Sequence, residues 1–283
     1  MAVEGNSFRW FGKTLPKTLA DVRLVILSDL HYGNPYCSQK HFLRTVDWIA
    51  KTENAYCLLN GDLCEAATRN SVGDVYDQIV TPKAQKRQVA QWLMPIKDKI
   101  LGMTNGNHER RINRESGVDI SEDIATELGI PYRDEGMLYK LSFGDGNNWT
   151  KGKPYVFWVY FTHGYGGART KAAKAVKAER LSYWQLADVF AMSHDHEVNV
   201  TPSVRLVADP RGSLENGFLT GTVNEKRIML IKTNAYVKFG GYSEIGGFSP
   251  TDLSTPVINL LTPSSEMWKQ CPDRPVQGVK VWV

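Results

Sequence analysis

Five strand-sized apolar runs, at 22–27, 56–59, 100–103, 155–161 and 187–192, each lead into a short polar segment, and this recurrence constrains the fold more than any other feature. The polar segments are Ser28-Asp29-Leu30-His31, Asn60-Gly61-Asp62, Gly106-Asn107-His108-Glu109, Thr162-His163-Gly164 and Ser193-His194-Asp195-His196. Five of the six histidines fall in them. Continuous apolar runs suit central strands covered on both faces. In α/β sheets, ligands bind at the carboxyl edge of the strands, where loops converge. Residues dozens of positions apart in sequence can therefore meet at one edge. Imidazole, carboxylate and carboxamide groups without a thiolate are the donors required by a site for one or two divalent cations.

The segments between the runs support a layered α/β fold. Residues 38–51 carry Phe42, Leu43, Val46, Ile49 and Ala50 at helical spacing behind a possible Ser38 cap. Residues 84–96, just after Pro82, predict a second helix. Strand–helix–strand alternation implies a parallel sheet with right-handed crossovers. Beyond Tyr132 the pattern changes: 137–143 and 155–161 flank Asp145-Gly146-Asn147-Asn148, which predicts a hairpin. Strand-like runs at 198–207, 217–223, 227–233 and 257–261 predict a second, more antiparallel sheet, and the proline-bearing tail 263–283 an irregular path. With no repeat or long linker, the expectation is one domain over 1–283 with two facing sheets, its motifs in 22–200 and its strand-rich portion in 198–262.

Composition excludes little but excludes it cleanly. Hydrophobic residues make up 42% and charged residues 23%, ordinary for a soluble globular chain. A net charge of +4 is too small to argue for nucleic acid alone. Cys37, Cys57, Cys64 and Cys271 form no C-x-x-C pair, which favours reduced thiols over a disulfide framework. Residues 1–17 lack the apolar core of a signal peptide, and no run reaches the length of a membrane span. The expected setting is cytoplasmic, with no membrane partner.

The series Asp29-x-His31, Gly61-Asp62, Gly106-Asn107-His108-Glu109, His163-Gly164 and His194-x-His196 resembles the calcineurin-like metallophosphoesterases. The resemblance covers roughly residues 22–200. It implies two mixed β-sheets flanked by helices, an αββα sandwich, with a dinuclear metal centre at one edge. One cation would take Asp29, His31, Asp62 and His196, and the other Asp62, Asn107, His163 and His194. Asp62 would bridge them, and His108 would stay off the metals near the leaving group. The implied activity is hydrolysis of phosphate mono- or diesters by a water that the two cations activate. Manganese is the expected metal, with iron or zinc as alternatives. A phosphodiesterase acting on nucleotide or nucleic acid is favoured by His108 and its basic surroundings. The alternatives are a phosphoprotein phosphatase and a non-catalytic scaffold on the same fold.

Two departures from the family pattern stand out. The second motif runs Gly61-Asp62-Leu63-Cys64-Glu65, with Glu65 where Asp or Asn is usual, and the last begins with Ser193 instead of glycine. Cys64 reads as a small buried filler, His41 as solvent-facing, and Glu109 as a support for His108 or a helix cap. Gly164-Tyr165-Gly166-Gly167-Ala168-Arg169 opens a predicted helix over 170–186 and either turns the chain or offers amides to a phosphate. Arg169 and Arg110 are the candidate substrate contacts, with Arg111 and Arg114 near the same mouth. Along the helix, Lys171, Lys174, Lys177 and Arg180 recur every third residue. The ordinary reading is a solvated face opposite Ala172, Ala173, Ala175 and Val176; the sharper one is a basic wall guiding a polyanion. Tyr236, Phe239, Tyr242 and Phe248 would pack a loop or stack bases.

Overall fold

The computed structural model describes residues 8–71, 75–144, 154–250, 252–266 and 278–283. The first half alternates strand and helix: β1 (Phe11–Leu15), β2 (Asp21–Leu27), α1 (Gln39–Lys51), β3 (Ala55–Asn60), α2 (Pro82–Leu93), β4 (Ile100–Thr104), α3 (Asn107–Ser116) and α4 (Ile120–Leu128). Then come β5 (Tyr132–Arg133), β6 (Met137–Phe143), β7 (Tyr155–Thr162), α5 (Lys171–Leu181), β8 (Val189–Met192), β9 (Asn199–Glu215), β10 (Phe218–Lys232), α6 (Tyr242–Ile245), β11 (Val257–Leu261) and β12 (Gly278–Trp282).

These strands form two six-stranded mixed sheets, β12-β11-β2-β3-β4-β5 and β1-β6-β7-β8-β10-β9. In the first, β2, β3, β4 and β5 run parallel and β11 returns antiparallel to β2. In the second, β7, β8 and β10 run parallel, while β6 pairs antiparallel with β7. Val22, Leu24, Ile26 and Leu58 from one sheet meet Tyr139, Phe157, Val159 and Ile231 from the other, so the main core lies between the sheets. A second apolar layer, with Phe42, Val46, Ile49, Val89, Leu93 and Ile124, packs α1, α2 and α4 against the outer face of the first sheet. Ala178 and Leu181 of α5 pack with Tyr160 and Phe190 outside the second. This is the αββα sandwich the motifs implied.

Local chemistry explains the helix starts. Pro82 opens α2 behind Thr81, whose side chain accepts from the Ala84 N–H. Ser38 precedes α1 but its side chain makes no capping bond.

Several expectations are corrected. The second sheet begins before 198: the chain leaves the first sheet between β5 and β6, and the runs 155–161 and 187–192 supply β7 and β8 of the second. The connecting turn 145–148 lies outside the described residues. The runs 217–223 and 227–233 are one strand, β10, with a register shift between Gly221 and Val223. The run 257–261 joins the first sheet, not the second, beside β2. Part of the tail is a regular strand: β12 pairs antiparallel with β11 across 278–282. Pro272, Pro275 and Cys271 lie outside the described residues.

Candidate metal centre

Each motif follows the carboxyl end of a strand: Asp29 and His31 follow β2, Asp62 follows β3, Asn107 and His108 open α3 after β4, His163 follows β7, and His194 and His196 follow β8. The two sheets therefore both contribute. The backbone bends sharply at these positions. Asp29, His31, Asp62, His194 and His196 have φ of 51°, 50°, 50°, 72° and 52°. Left-handed φ is disfavoured for residues with a Cβ, so five such residues at one edge are held there by their surroundings. Gly61, at φ 77°, lets the β3 and β4 turns touch, since a Cβ there would lie 2.5 Å from the Gly106 backbone. A Cβ on Gly106 would strike Asp62.

The side chains gather in overlapping groups. Asp29, His31 and His196 form one; Asp62, His163 and His194 form another; ligand atoms within each lie within 4.8 Å of one another. His31, Asp62 and His108 make a third between them. Asp62 Oδ2 lies 3.0 Å from His163 Nε2, 3.8 Å from His31 Nε2 and 3.9 Å from His108 Nε2. Asn107 Oδ1 sits 2.9 Å from His163 Nε2 and 2.7 Å from His194 Nδ1. All seven residues expected to ligate are at one place.

The hydrogen bonding around the rings tests whether cations fit. His31 Nδ1 faces Glu65 Oε2 at 3.1 Å, and His108 Nδ1 faces the Glu65 carbonyl at 2.8 Å. His163 Nδ1 faces the Asn60 carbonyl at 2.8 Å, and His194 Nε2 the Gly166 carbonyl at 2.7 Å. These partners only accept, so those ring nitrogens carry the protons. The opposite nitrogen of each ring then points inward, where it can hold a proton or give it up to a cation. His31 Nε2 meets His196 Nε2 at 3.2 Å, and the His163 and His194 nitrogens meet the Asn107 oxygen. Asp29 Oδ1, fully buried, has no hydrogen bond. Acceptors crowded on acceptors repel unless protons or cations lie among them. The residues present fit divalent cations.

Electrostatics agree. Burial disfavours charge on His31, but its bond to Glu65 and the charges of Asp62, Glu65 and Asp29 outweigh this and raise it to about 9. His163 is raised to about 9 against burial by the Asp62 carboxylate. Burial opposes ionisation of Asp62 as well, yet His163 and His108 hold its carboxyl well below the usual range. His108 goes the other way, pushed down to about 4 chiefly by burial.

Supporting residues account for the rest of the geometry. Glu109, fully buried, accepts from the N–H groups of Asp62 (3.0 Å) and Cys64 (2.8 Å), so it fixes the β3 turn. Burial and the charge on Asp62 push Glu109 up to about 7. Glu65 also takes a bond from Asn34 at 3.3 Å and orients His31 despite its extra methylene. Ser193 Oγ accepts from Asn60 Nδ2 at 2.6 Å and Thr233 at 2.8 Å, tying β8 to β3 and β10. Sequence reading missed Asn60 as a tie and Asn34 altogether.

The basic and aromatic residues around the centre make contacts of their own. Arg110 is drawn to Asp134, 2.6 Å from its carbonyl and 3.2 Å from its carboxylate. Arg169 is exposed and lies over the Phe248 ring at 5.6 Å. Arg111 donates to Ser71 at 3.1 Å. The lysines of α5 are no open wall: Lys174 is buried against Glu197 and Lys177 pairs with Asp195, while Ala172, Ala173 and Val176 face solvent. His41 is half-buried, 4.8 Å from the Tyr236 ring, with Nε2 3.2 Å from Thr255 Oγ1. Tyr236 is a core residue and not a stacking platform.

The chain is thus an αββα sandwich with imidazole, carboxylate and carboxamide donors along the carboxyl edge of its strands. No protein-family model matches the sequence, and no curated protein matches it. Among solved structures the chain is similar to the nuclease MPE of Pseudomonas putida, with 14% identity over 83% of this chain and 82% of that one and a TM-score of 0.35. It is also similar to Chaetomium thermophilum Vps29, with 10% identity, 92% and 95% coverage and a TM-score of 0.35. For the Haemophilus influenzae NAD nucleotidase NadN the identity is 11%, the coverage 87% of this chain and 48% of that one, and the TM-score 0.39. Among the described residues no helix is long and apolar enough to cross a membrane.

Proposed function

We propose that this chain is a metal-dependent phosphoesterase, with phosphodiesters of nucleotide or nucleic acid preferred over monoesters. The observation that supports it most is Asp62, whose Oδ2 lies within 4.0 Å of His163, His31 and His108 at the junction of the groups. Asp29, His31, Asp62 and His196 would hold one cation; Asp62, Asn107, His163 and His194 would hold the other. Two divalent ions there, manganese first among the candidates, would supply positive charge that acidifies an attacking water and offsets charge on the phosphoryl oxygens.

The protein's own groups do the rest. Glu65, Asn60 and Gly166 orient three imidazoles with their lone pairs inward. His108, anchored through Nδ1, presents Nε2 to the same space. It is neutral at ordinary pH and gains a proton more readily once a phosphate anion lies beside it. The protonated ring can then donate to the departing ester oxygen. An alkoxide leaving group, as in an ester of a sugar hydroxyl, needs that proton. Arg169 remains the candidate phosphate contact; Arg110 would first have to leave Asp134.

The test is cleavage of chromogenic aryl diester and monoester substrates by the purified chain with manganese, iron or zinc. Faster diester cleavage with manganese is expected. Cleavage of the monoester alone would reassign the chain to a phosphatase, and no cleavage with any of the metals would overturn the catalytic reading.

A further inference from the structure

The segment after β8 alternates two kinds of side chain. His194 and His196 point to different donor groups at the centre. Between and after them, Asp195 and Glu197 are buried and meet lysines from two other elements. Lys177 of α5 lies 2.7 Å from Asp195 Oδ1, and Lys232 of β10 lies 2.7 Å from Asp195 Oδ2. Lys232 is fully buried and also donates to the Ser193 carbonyl at 2.6 Å. Glu197 is held by Lys174 at 3.3 Å and by the exposed Lys171 at 3.2 Å.

We propose that Asp195, clamped between Lys177 and Lys232, is the positioning residue that keeps His194 and His196 in their left-handed turns and thereby sets the affinity of both cation groups together. This rests on the metal-centre reading given above. Two lysines from different elements, one on each oxygen, fix the plane of the carboxylate and so the backbone that carries it. Both histidines adjoin Asp195 directly, and both have a positive φ that a Cβ disfavours. Buried ion pairs are a poor source of stability, because desolvation offsets their attraction; fixing one geometry is a use that does not depend on net stability. Lys171 is different: its side chain is 81% exposed and its pairing is screened. The clamp also explains why Lys177 turns inward from α5.

The test is manganese binding, measured by equilibrium dialysis on the whole chain and its variants, with thermal melting of each. Lys177→Met keeps the apolar stem and leaves Lys232 on Asp195. It should weaken manganese binding at both sites about 10–100-fold, the usual effect of losing a group that orients ligands. Lys177→Arg should restore affinity, and Lys171→Met should leave it unchanged. Lys232 is fully buried against Asp195, so the second variant is Asp195→Asn with Lys232→Met, which removes both charges of that pair together. A folded Lys177→Met or double variant that binds two manganese ions as tightly as the parent overturns the clamp. Loss from one site alone also overturns it. Failure of the parent chain itself to bind manganese would instead overturn the metal-centre reading.

Discussion

His31, His108, His163 and His194 each have one ring nitrogen on an acceptor, so the protonation of the other is where the chemistry lies. His31 and His163 are raised to about 9 by the carboxylates around them, so a chelator-treated chain carries both as imidazolium at neutral pH. Manganese uptake must then release protons. Calorimetry in buffers of different ionisation enthalpy should show about two protons released per chain near pH 7, falling toward none as pH passes the raised values. The stability of the stripped chain should follow the same groups. A raised imidazole pKa stabilises the fold fully below its unfolded value of 6.5, and that contribution is lost as pH rises through about 9. Melting of the stripped chain should therefore fall from pH 7 to pH 9; a rise would contradict the assigned ion pairs. His108 is predicted to act on the leaving group, not on a cation. His108→Ala should keep full manganese content while turnover falls about 10²–10⁴-fold, the usual range for a general acid. Loss of a cation in that variant would make His108 a ligand, which its position beside His31 and Asp62 permits. At this scale the sequence was most legible, because ligand chemistry confines the donors to a few residue types. It was least legible for Asn60, Asn34 and Ser193, polar residues whose partners are far away in the chain.

The elements that make the site are turns more than strands. The β3 turn is held from α3, where Glu109 caps the N–H groups of Asp62 and Cys64, and the two turns touch at Gly61 and Gly106. Gly106→Ala should therefore push the turns apart. Overpacking of this kind costs about 1–3 kcal/mol, so the variant should melt several degrees lower and lose manganese affinity; both are read from one melting and dialysis series. An unchanged melting temperature would show that the turns can separate freely. Helices α1 and α2 were legible from apolar spacing because their buried face is apolar, with Phe42, Val46 and Ile49 on one and Val89, Ala90 and Leu93 on the other. Helix α5 was misread for a physical reason. Its buried face includes Lys174, which hydropathy assigns to water, and only Glu197 across the interface makes that burial tolerable.

On the scale of the molecule, one element stands apart. The hairpin of β9 and β10 pairs with β8 only through 229–232, and beyond that it is a two-stranded ribbon. Among the described residues, the hydrogen bonds and ion pairs of 209–222 stay within the ribbon. Ala208 and Val223 face each other, so an Asn-Gly turn can join them in place of 209–222. That excision should leave melting temperature and manganese affinity unchanged; a loss of either would show that the ribbon supports the core. The order of apolar runs and polar clusters by itself determined that strands would end in cation donors, since both the period of a strand and the donor types are local properties. The tertiary structure alone decided which sheet each strand joined, that 257–261 and 278–282 would complete the first sheet, and that the α5 lysines would turn inward to Asp195 and Glu197. Those outcomes depend on which buried surfaces and charges find partners across the fold, and no local run of residues contains that information.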